Sequence, residues 1–189
     1  MTPRLLAFIP SAVALNLAMG FIVNQLGLRV YLDSTGTVLV AALAGPGAGV
    51  LAGVVSQLVR SLYEGFVWLP FGLIQVLIAL MAALAASRGG FRTVPGSVSW
   101  GLVTGLLAGL VSAVISYVLF KGVTAIGVTP VTTLLAGLGL SREGAVTAAS
   151  VGTDLVDKVL VFLLIGATLR GLPSRMMARY PLGARATGR

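Results

Sequence analysis

Two residue types are missing from this sequence: it has no cysteine and no histidine. The first absence removes disulfides and thiol chemistry. The second removes the commonest proton shuttle and a frequent ligand of zinc and haem iron. We therefore expect no metal site, no resident cofactor and no enzymatic activity.

Charged and aromatic residues are also scarce. Only 10% of the residues are charged and 7% are aromatic, whereas 57% are hydrophobic and the mean hydropathy is +1.03. A soluble domain of 189 residues would need more polar side chains than this to cover its surface. Because the apolar residues come in long blocks and do not alternate, the sequence predicts an all-α, polytopic membrane protein.

Six transmembrane helices are predicted within a single domain that covers residues 1–189. The spans are expected at about 5–26, 35–45, 47–63, 67–86, 97–119 and 145–169, followed by a basic C-terminal tail at 170–189. The apolar run of the first span continues well past Ala14, which favours a retained helix over a cleavable signal peptide. The apolar segment 131–140 is too short to cross a bilayer and is predicted to be re-entrant or lid-like.

The stretch from Thr35 to Leu62 is interrupted in its middle by Gly45-Pro46-Gly47. As one straight helix, these 28 residues would reach about 42 Å, against a hydrocarbon core of about 30 Å. Pro46 lacks a backbone N–H and the two glycines permit a tight turn. The sequence therefore predicts two short helices folded back at a tight GPG hairpin, with Asp33-Ser34 as the N-cap of the first. Small residues at four-residue intervals are expected to form their contact: Ala41, Gly45, Gly49 and Gly53.

The net charge of +8 is distributed in the way that membrane topology predicts. With six spans, eight Lys and Arg residues lie on the side of the termini and four on the other side. The positive-inside rule then places both termini in the cytoplasm, with the protein in the cell (inner) membrane. Treating the hairpin as one span gives the same division, so charge does not decide between five spans and six. Because these residues flank helix ends, we expect no nucleic-acid partner.

The last span carries three ionisable residues, Asp154, Asp157 and Lys158. Each such group costs at least about 2.5–3.5 kcal/mol at mid-membrane, so all three are expected to face the bundle interior or a wet cavity. One interpretation is an internal ion pair that only locks the bundle. We favour a binding site for a polar ligand, because an intramembrane charge cluster usually marks one.

Further polar and aromatic residues are candidates for the same site. Gln75 and Gln57 carry amides that are expensive to leave unpaired in an apolar bundle. Tyr117, Trp68 and Tyr31 are candidate stacking or lid residues. Trp68 has a second interpretation, since tryptophan also anchors helices at the membrane edge.

Three motifs point to a known family. The segment YLDSTGT at 31–37 leads into AGPGAG at 44–49, Asp157-Lys158 in the final helix is followed by Leu172-Pro173, and Ala14-x-x-x-Ala18 lies in the first helix. Together they resemble the substrate-binding S components of energy-coupling-factor (ECF) vitamin transporters, most nearly the riboflavin-type branch. Ala14 and Ala18 resemble the alanine motif of that family, although small residues one turn apart also serve ordinary helix packing.

The resemblance implies a high-affinity binding subunit for a vitamin-like small molecule. Its partners would be an ECF transmembrane coupling subunit, docked on Ala14 and Ala18, and ATPase subunits. The sequence itself has no G-x-x-x-x-G-K-[ST] loop to cradle a nucleotide phosphate. In the riboflavin-type branch the lysine of the last helix contributes to ligand binding, which implies this role for Lys158. S components share one frame and differ in substrate, so the resemblance does not name the vitamin.

Three other classes of function stay open at this point. One is a membrane module that senses a ligand or assembles with other proteins without transporting. A second is a secondary transporter that works alone, without ATPase partners. The third is a membrane enzyme that uses Asp154 and Asp157 to hold a metal, against which Lys158 would compete with a cation.

Overall fold

The computed structural model describes residues 3–28, 30–121 and 129–188, which form an all-α protein. Its helices run in the following order: α1 (Pro3–Gln25), α2 (Thr35–Ala44), α3 (Pro46–Glu64), a 3-10 helix (Phe66–Phe71), α4 (Gly72–Ser87), α5 (Val94–Phe120), α6 (Thr129–Gly137), α7 (Arg142–Gly171), α8 (Ser174–Met177) and α9 (Gly183–Thr187).

Among the described residues, three helical segments are long and apolar enough to cross a membrane: Phe8–Gln25, Phe66–Ser87 and Val94–Phe120. They indicate a membrane protein. α7 is longer, at 30 residues, but its middle carries the two aspartates and the lysine, which lower its hydropathy. The arrangement of six spans with a GPG hairpin stays a prediction.

The helical path is interrupted between α2 and α3. α2 ends at Ala44, Gly45 adopts a φ of +98°, and α3 begins at Pro46. Only glycine adopts this φ at little cost, and proline is favoured in the first turn of a helix because its missing N–H would have no helical partner there. α2 and α3 pack closely: a Cβ added at Gly49 would lie 2.5 Å from the Cβ of Ala41. These two helices therefore bring the beginning of α2 beside the end of α3.

A seam of glycines joins α5 to α7. Cβ atoms added at Gly101 and Gly105 would lie 2.8 Å from Val159 Cα and 2.7 Å from Asp154 O, respectively, and one at Gly109 would lie 2.5 Å from Val151 Cα. These distances are too short for any side chain, so the two helices touch backbone to backbone. This contact sets the charged middle of α7 against Gly101 and Gly105, in the first half of α5.

The remaining helices pack on the outside of this core. α6 contacts α7, and it includes most of the segment 131–140, which was predicted to be re-entrant or lid-like. In the C-terminal tail, the N–H of Leu182 donates to the carbonyl of Leu43 at 3.0 Å, and Met177 is buried. The tail therefore supplies a hydrogen bond to the last turn of α2, whose carbonyls have no partner within the helix.

Candidate functional site

A cavity of about 30 Å³ lies inside the bundle where the segment before α2, α3, the 3-10 helix, α4, α5 and α7 meet. We call it the inner cavity. Six of the eight predicted ligand-binding residues line it: Tyr31, Gln57, Trp68, Gln75, Asp154 and Lys158. Sequence reasoning did not single out the other lining residues: Asp33, Phe71, Ile74, Ile78, Ser112 and Ser116. The volume holds about two water molecules, so a larger ligand requires the walls to move.

Lys158 and Asp157 form a buried ion pair next to this cavity. Asp157 is fully buried, and its Oδ2 accepts from the ammonium of Lys158, which is 2% exposed. Its other oxygen, Oδ1, accepts from the backbone N–H groups of Tyr31 at 2.9 Å and Leu32 at 2.7 Å. Asp157 therefore fastens the segment before α2 to the middle of α7. It does not line the inner cavity, and its predicted ligand contact stays a prediction.

Asp154 is bonded differently from Asp157. Its Oδ1 lies 3.5 Å from the ammonium of Lys158, one helical turn away, and its side chain is buried yet lines the inner cavity. An ion pair at this distance is weaker than the direct contact that Asp157 makes with the same ammonium. Of the two aspartates on α7, Asp154 is therefore the one whose carboxylate can accept from a group in the cavity.

Tyr117 does not belong to this site. Its side chain is 46% exposed, and its hydroxyl donates to Glu143 at 3.0 Å on the outer side of α5 and α7. Ser112 and Ser116 continue the glycine seam of α5 and face inward, whereas Tyr117 comes one residue later and points about 100° away. The prediction of Tyr117 as a stacking or lid residue did not consider this helical phase, and the structure places its side chain away from the inner cavity.

Asp33 lines the inner cavity and pairs with Arg60, which lies near the end of α3. Arg60 Nη1 donates to Asp33 at 2.7 Å, and its Nε donates to Glu64 at the same distance. The guanidinium also lies 3.6 Å from the ring centroid of Trp68, a cation–π contact. Trp68 is buried, which fits its interpretation as a cover of the site and not as an anchor at the membrane edge.

The cap of α2 was predicted at the right position but with the wrong side chain as hydrogen-bond acceptor. Ser34 occupies the N-cap position without a side-chain hydrogen bond, and Asp33 pairs with Arg60 instead. Asn16 of α1 does the capping from a distance, because its Oδ1 accepts from the N–H groups of Gly36 at 2.7 Å and Thr37 at 3.2 Å. A local sequence pattern does not reveal such a cap, although a lone amide in an apolar helix is a signal that it has a partner.

The Asn16 contacts continue to the inner cavity. Asn16 Nδ2 donates to the hydroxyl of Thr37 at 2.9 Å and to Ser56 at the same distance. The Thr37 hydroxyl in turn donates to Gln75 Oε1 at 2.9 Å, and Gln75 lines the cavity. The network therefore fixes the position of the Gln75 amide in the cavity wall.

Three polar atoms of the cavity wall have no hydrogen-bond partner among the described residues. They are Gln57 Oε1, Trp68 Nε1 and Ser116 Oγ, and all three belong to buried side chains. A buried polar group without a partner costs about 1–3 kcal/mol, so such groups are rare unless something else satisfies them. The wall thus presents an acceptor, a donor and a hydroxyl to whatever occupies the cavity.

A second cavity, of about 100 Å³, adjoins the first. We call it the outer cavity; it reaches the end of α1 and the connection to α2. Tyr31 and Trp68 line both cavities, with ring centroids 6.4 Å apart and an edge-on arrangement. These two rings therefore separate the cavities, and moving them would join the two spaces.

Ala14 and Ala18 lie on the outer face of α1. Both are exposed, whereas Ala12 and Asn16 face the bundle. Their small side chains therefore do not serve packing between the described helices. They leave a shallow strip on the surface that another helix could approach closely.

Within the described residues, no group of three acidic side chains is placed to hold a metal ion. Comparison with protein-family models, with curated proteins and with solved structures finds no match to this chain.

Proposed function

We propose that this protein is a membrane-embedded, high-affinity binding subunit for a vitamin-like small molecule, which it delivers to an ATP-driven ECF coupling complex for uptake. The observation that carries the proposal is the inner cavity. It combines aromatic walls, buried charges and three polar atoms that have no hydrogen-bond partner in the described part of the chain. Pockets for small molecules are mostly apolar with a few convergent polar groups.

The position of the cavity supports uptake from outside the cell. Apart from Asp154 and Lys158 in the middle of α7 and two residues of the 3-10 helix, its walls come from the segment just before α2, the second half of α3, the beginning of α4 and the second half of α5. In the six-span topology these helix ends lie on the side opposite the termini. With both termini cytoplasmic, as the distribution of basic residues predicts, the cavity opens to the exterior.

The small volume of the inner cavity implies an order of events in ligand binding. The inner cavity holds about two water molecules, so a vitamin-sized ligand enters only when Tyr31 and Trp68 move aside. Both residues stand outside the long α-helices, Tyr31 in the connection before α2 and Trp68 in the 3-10 helix. Short connecting segments of this kind move more easily than the helices that they join.

Delivery to partners is proposed to use the strip formed by Ala14 and Ala18. The chain resembles ECF S components in this motif, and both residues are exposed on α1, where a partner helix can reach them. The partner subunits would supply ATP hydrolysis, and the whole binding unit would tilt in the membrane to release its ligand inside.

The docking proposal predicts the effect of a bulky residue on α1. Tagged wild-type protein, purified in mild detergent from its native membranes, should bring with it a membrane subunit and ATPase subunits. Ala14→Trp should lose these partners, because an indole would hold a close-packed helix away. Thermal unfolding of the variant should match that of the wild type.

Ala167→Trp is the matched control, because Ala167 is an exposed alanine on α7, away from the strip. It should retain the partners. If Ala14→Trp retains them as well, the docking surface lies elsewhere. If the wild-type protein brings no ATPase, the protein is a ligand sensor or a solitary transporter.

A further inference from the structure

The inner cavity is surrounded by negative charge in a protein that is otherwise strongly basic. The sequence has five acidic residues against thirteen Lys and Arg residues. Four of the five acids lie at or directly beside the inner and outer cavities: Asp33, Glu64, Asp154 and Asp157. The described residues place two cations there, Arg60 and Lys158.

Each of these two cations is shared by two carboxylates. Arg60 bridges Asp33 and Glu64, and Lys158 lies between Asp154 and Asp157. With all six groups ionised, the group has two more negative than positive charges. Arg29 lies outside the described residues, and even its single charge would not balance the group.

The surplus is concentrated at Asp154. The carboxylate of Asp157 has three donors, two backbone N–H groups and the Lys158 ammonium, whereas the ammonium lies 3.5 Å from Asp154. A buried carboxylate without full compensation is costly, and the compensation is a cation or a set of strong donors. Asp154 lines the cavity, so this partner can come from a ligand.

The remaining walls restrict the ligand further. Gln57 Oε1 requires a donor, Trp68 Nε1 requires an acceptor, and Ser116 Oγ can serve as either. The rings of Tyr31, Trp68 and Phe71 provide flat apolar surface. Water would satisfy the three polar atoms, but it would not neutralise the charge of Asp154. A proton on Asp154 would neutralise that charge, but it would leave the three polar atoms without partners.

We propose that the ligand is a small organic cation with a flat ring, held with its positive charge against Asp154 and its ring among the aromatic side chains of the cavity. The Arg60 guanidinium on the face of Trp68 shows that a cation is accommodated beside these rings. A ring of this kind needs Tyr31 and Trp68 to move, which joins the inner cavity to the outer cavity. This inference rests on the proposed binding function and names the chemical class of its ligand.

Three compounds with the same ring and different charges test the proposal: 1-methylnicotinamide, a permanent cation; nicotinamide, which is neutral; and nicotinate, an anion. Equilibrium dialysis of the full-length protein in detergent measures the binding of each. The cation should bind about tenfold or more tightly than the other two, because a hydrogen bond or contact with a charged group is worth about 1.5–3 kcal/mol. Asp154→Asn should lose this preference.

Glu143→Gln is the matched control. It removes the same charge from the same helix, at an exposed carboxylate that bonds Tyr117 outside the cavity. It should leave the preference for the cation unchanged. If Asp154→Asn does not fold, the ranking of the three compounds by the wild-type protein decides alone.

The inference is overturned if the protein binds none of the compounds, binds all three equally, or keeps its preference for the cation in Asp154→Asn. Preferred binding of nicotinamide or nicotinate also overturns it, but leaves the proposed binding function intact. The loss of partner subunits in Ala14→Trp is a separate measurement, so the failure of one proposal is distinguishable from the failure of the other.

Discussion

Replacing Lys158 by methionine should destabilise the protein by about 3–5 kcal/mol, because the change leaves buried carboxylates without their cation. Asp157 is fully buried and fastens Tyr31 and Leu32 to α7, so its charge cannot reach water without opening the bundle. Thermal or denaturant-induced unfolding in detergent measures the loss. Ligand binding should be lost because the protein unfolds, and not because the folded protein binds its ligand more weakly.

A double variant separates the ion pair from the rest of the site. Asp157→Asn combined with Lys158→Met removes both charges and keeps an oxygen that can accept from the two backbone N–H groups. It should recover much of the stability that the single change removes. Lys121→Met, at the exposed end of α5, is the control for loss of a lysine and should have little effect. A double variant no more stable than Lys158→Met would show that the pair does not act as a unit.

Replacing Asn16 by leucine should cost at least about 2 kcal/mol, because it leaves the N–H groups of Gly36 and Thr37 buried without a partner, at about 1–3 kcal/mol each. The hydroxyl of Thr37 also loses its donor and with it the fixed position of Gln75. The stability loss is measured by unfolding in detergent. Because the network ends at the cavity wall, affinity for a ligand should fall as well.

Asn16→Asp distinguishes capping from packing. The carboxylate keeps an acceptor at the first turn of α2, where negative charge is favoured, so this variant should be more stable than Asn16→Leu. Asn24→Leu, an exposed position near the end of the same helix, should be close to wild type. Equal stability of Asn16→Leu and wild type would contradict the role of Asn16 as a distant cap.

Much of the site was predictable because burying polar groups in an apolar bundle is expensive. That principle pointed to Lys158, Asp154, Gln75 and Gln57, and the structure places all four around one cavity. Trp68 and Tyr31 were candidates for stacking because they are aromatic, and both line the same cavity. The helices could be located because long apolar runs, glycine and proline are strong local signals.

What the sequence did not reveal depends on long-range partners and on helical phase. Asp33 was given a local capping role because Asp33-Ser34 precedes an apolar run, but its partner Arg60 lies at the far end of α3. The cap itself, Asn16, comes from another helix. Asp157 was placed in the pocket with its neighbours, and its turn toward Tyr31 and Leu32 depends on the packing of α7 against the chain before α2.

Identification of the small molecules that the purified protein retains is the most direct test of the account. Mass spectrometry compares the wild-type protein with two variants. Ser116→Phe fills the inner cavity, and Val118→Phe adds the same ring to the exposed side of α5. We expect one retained compound in the wild type and in Val118→Phe, and its absence from Ser116→Phe. A wild-type protein that retains nothing, or a compound that Ser116→Phe holds equally well, would contradict it.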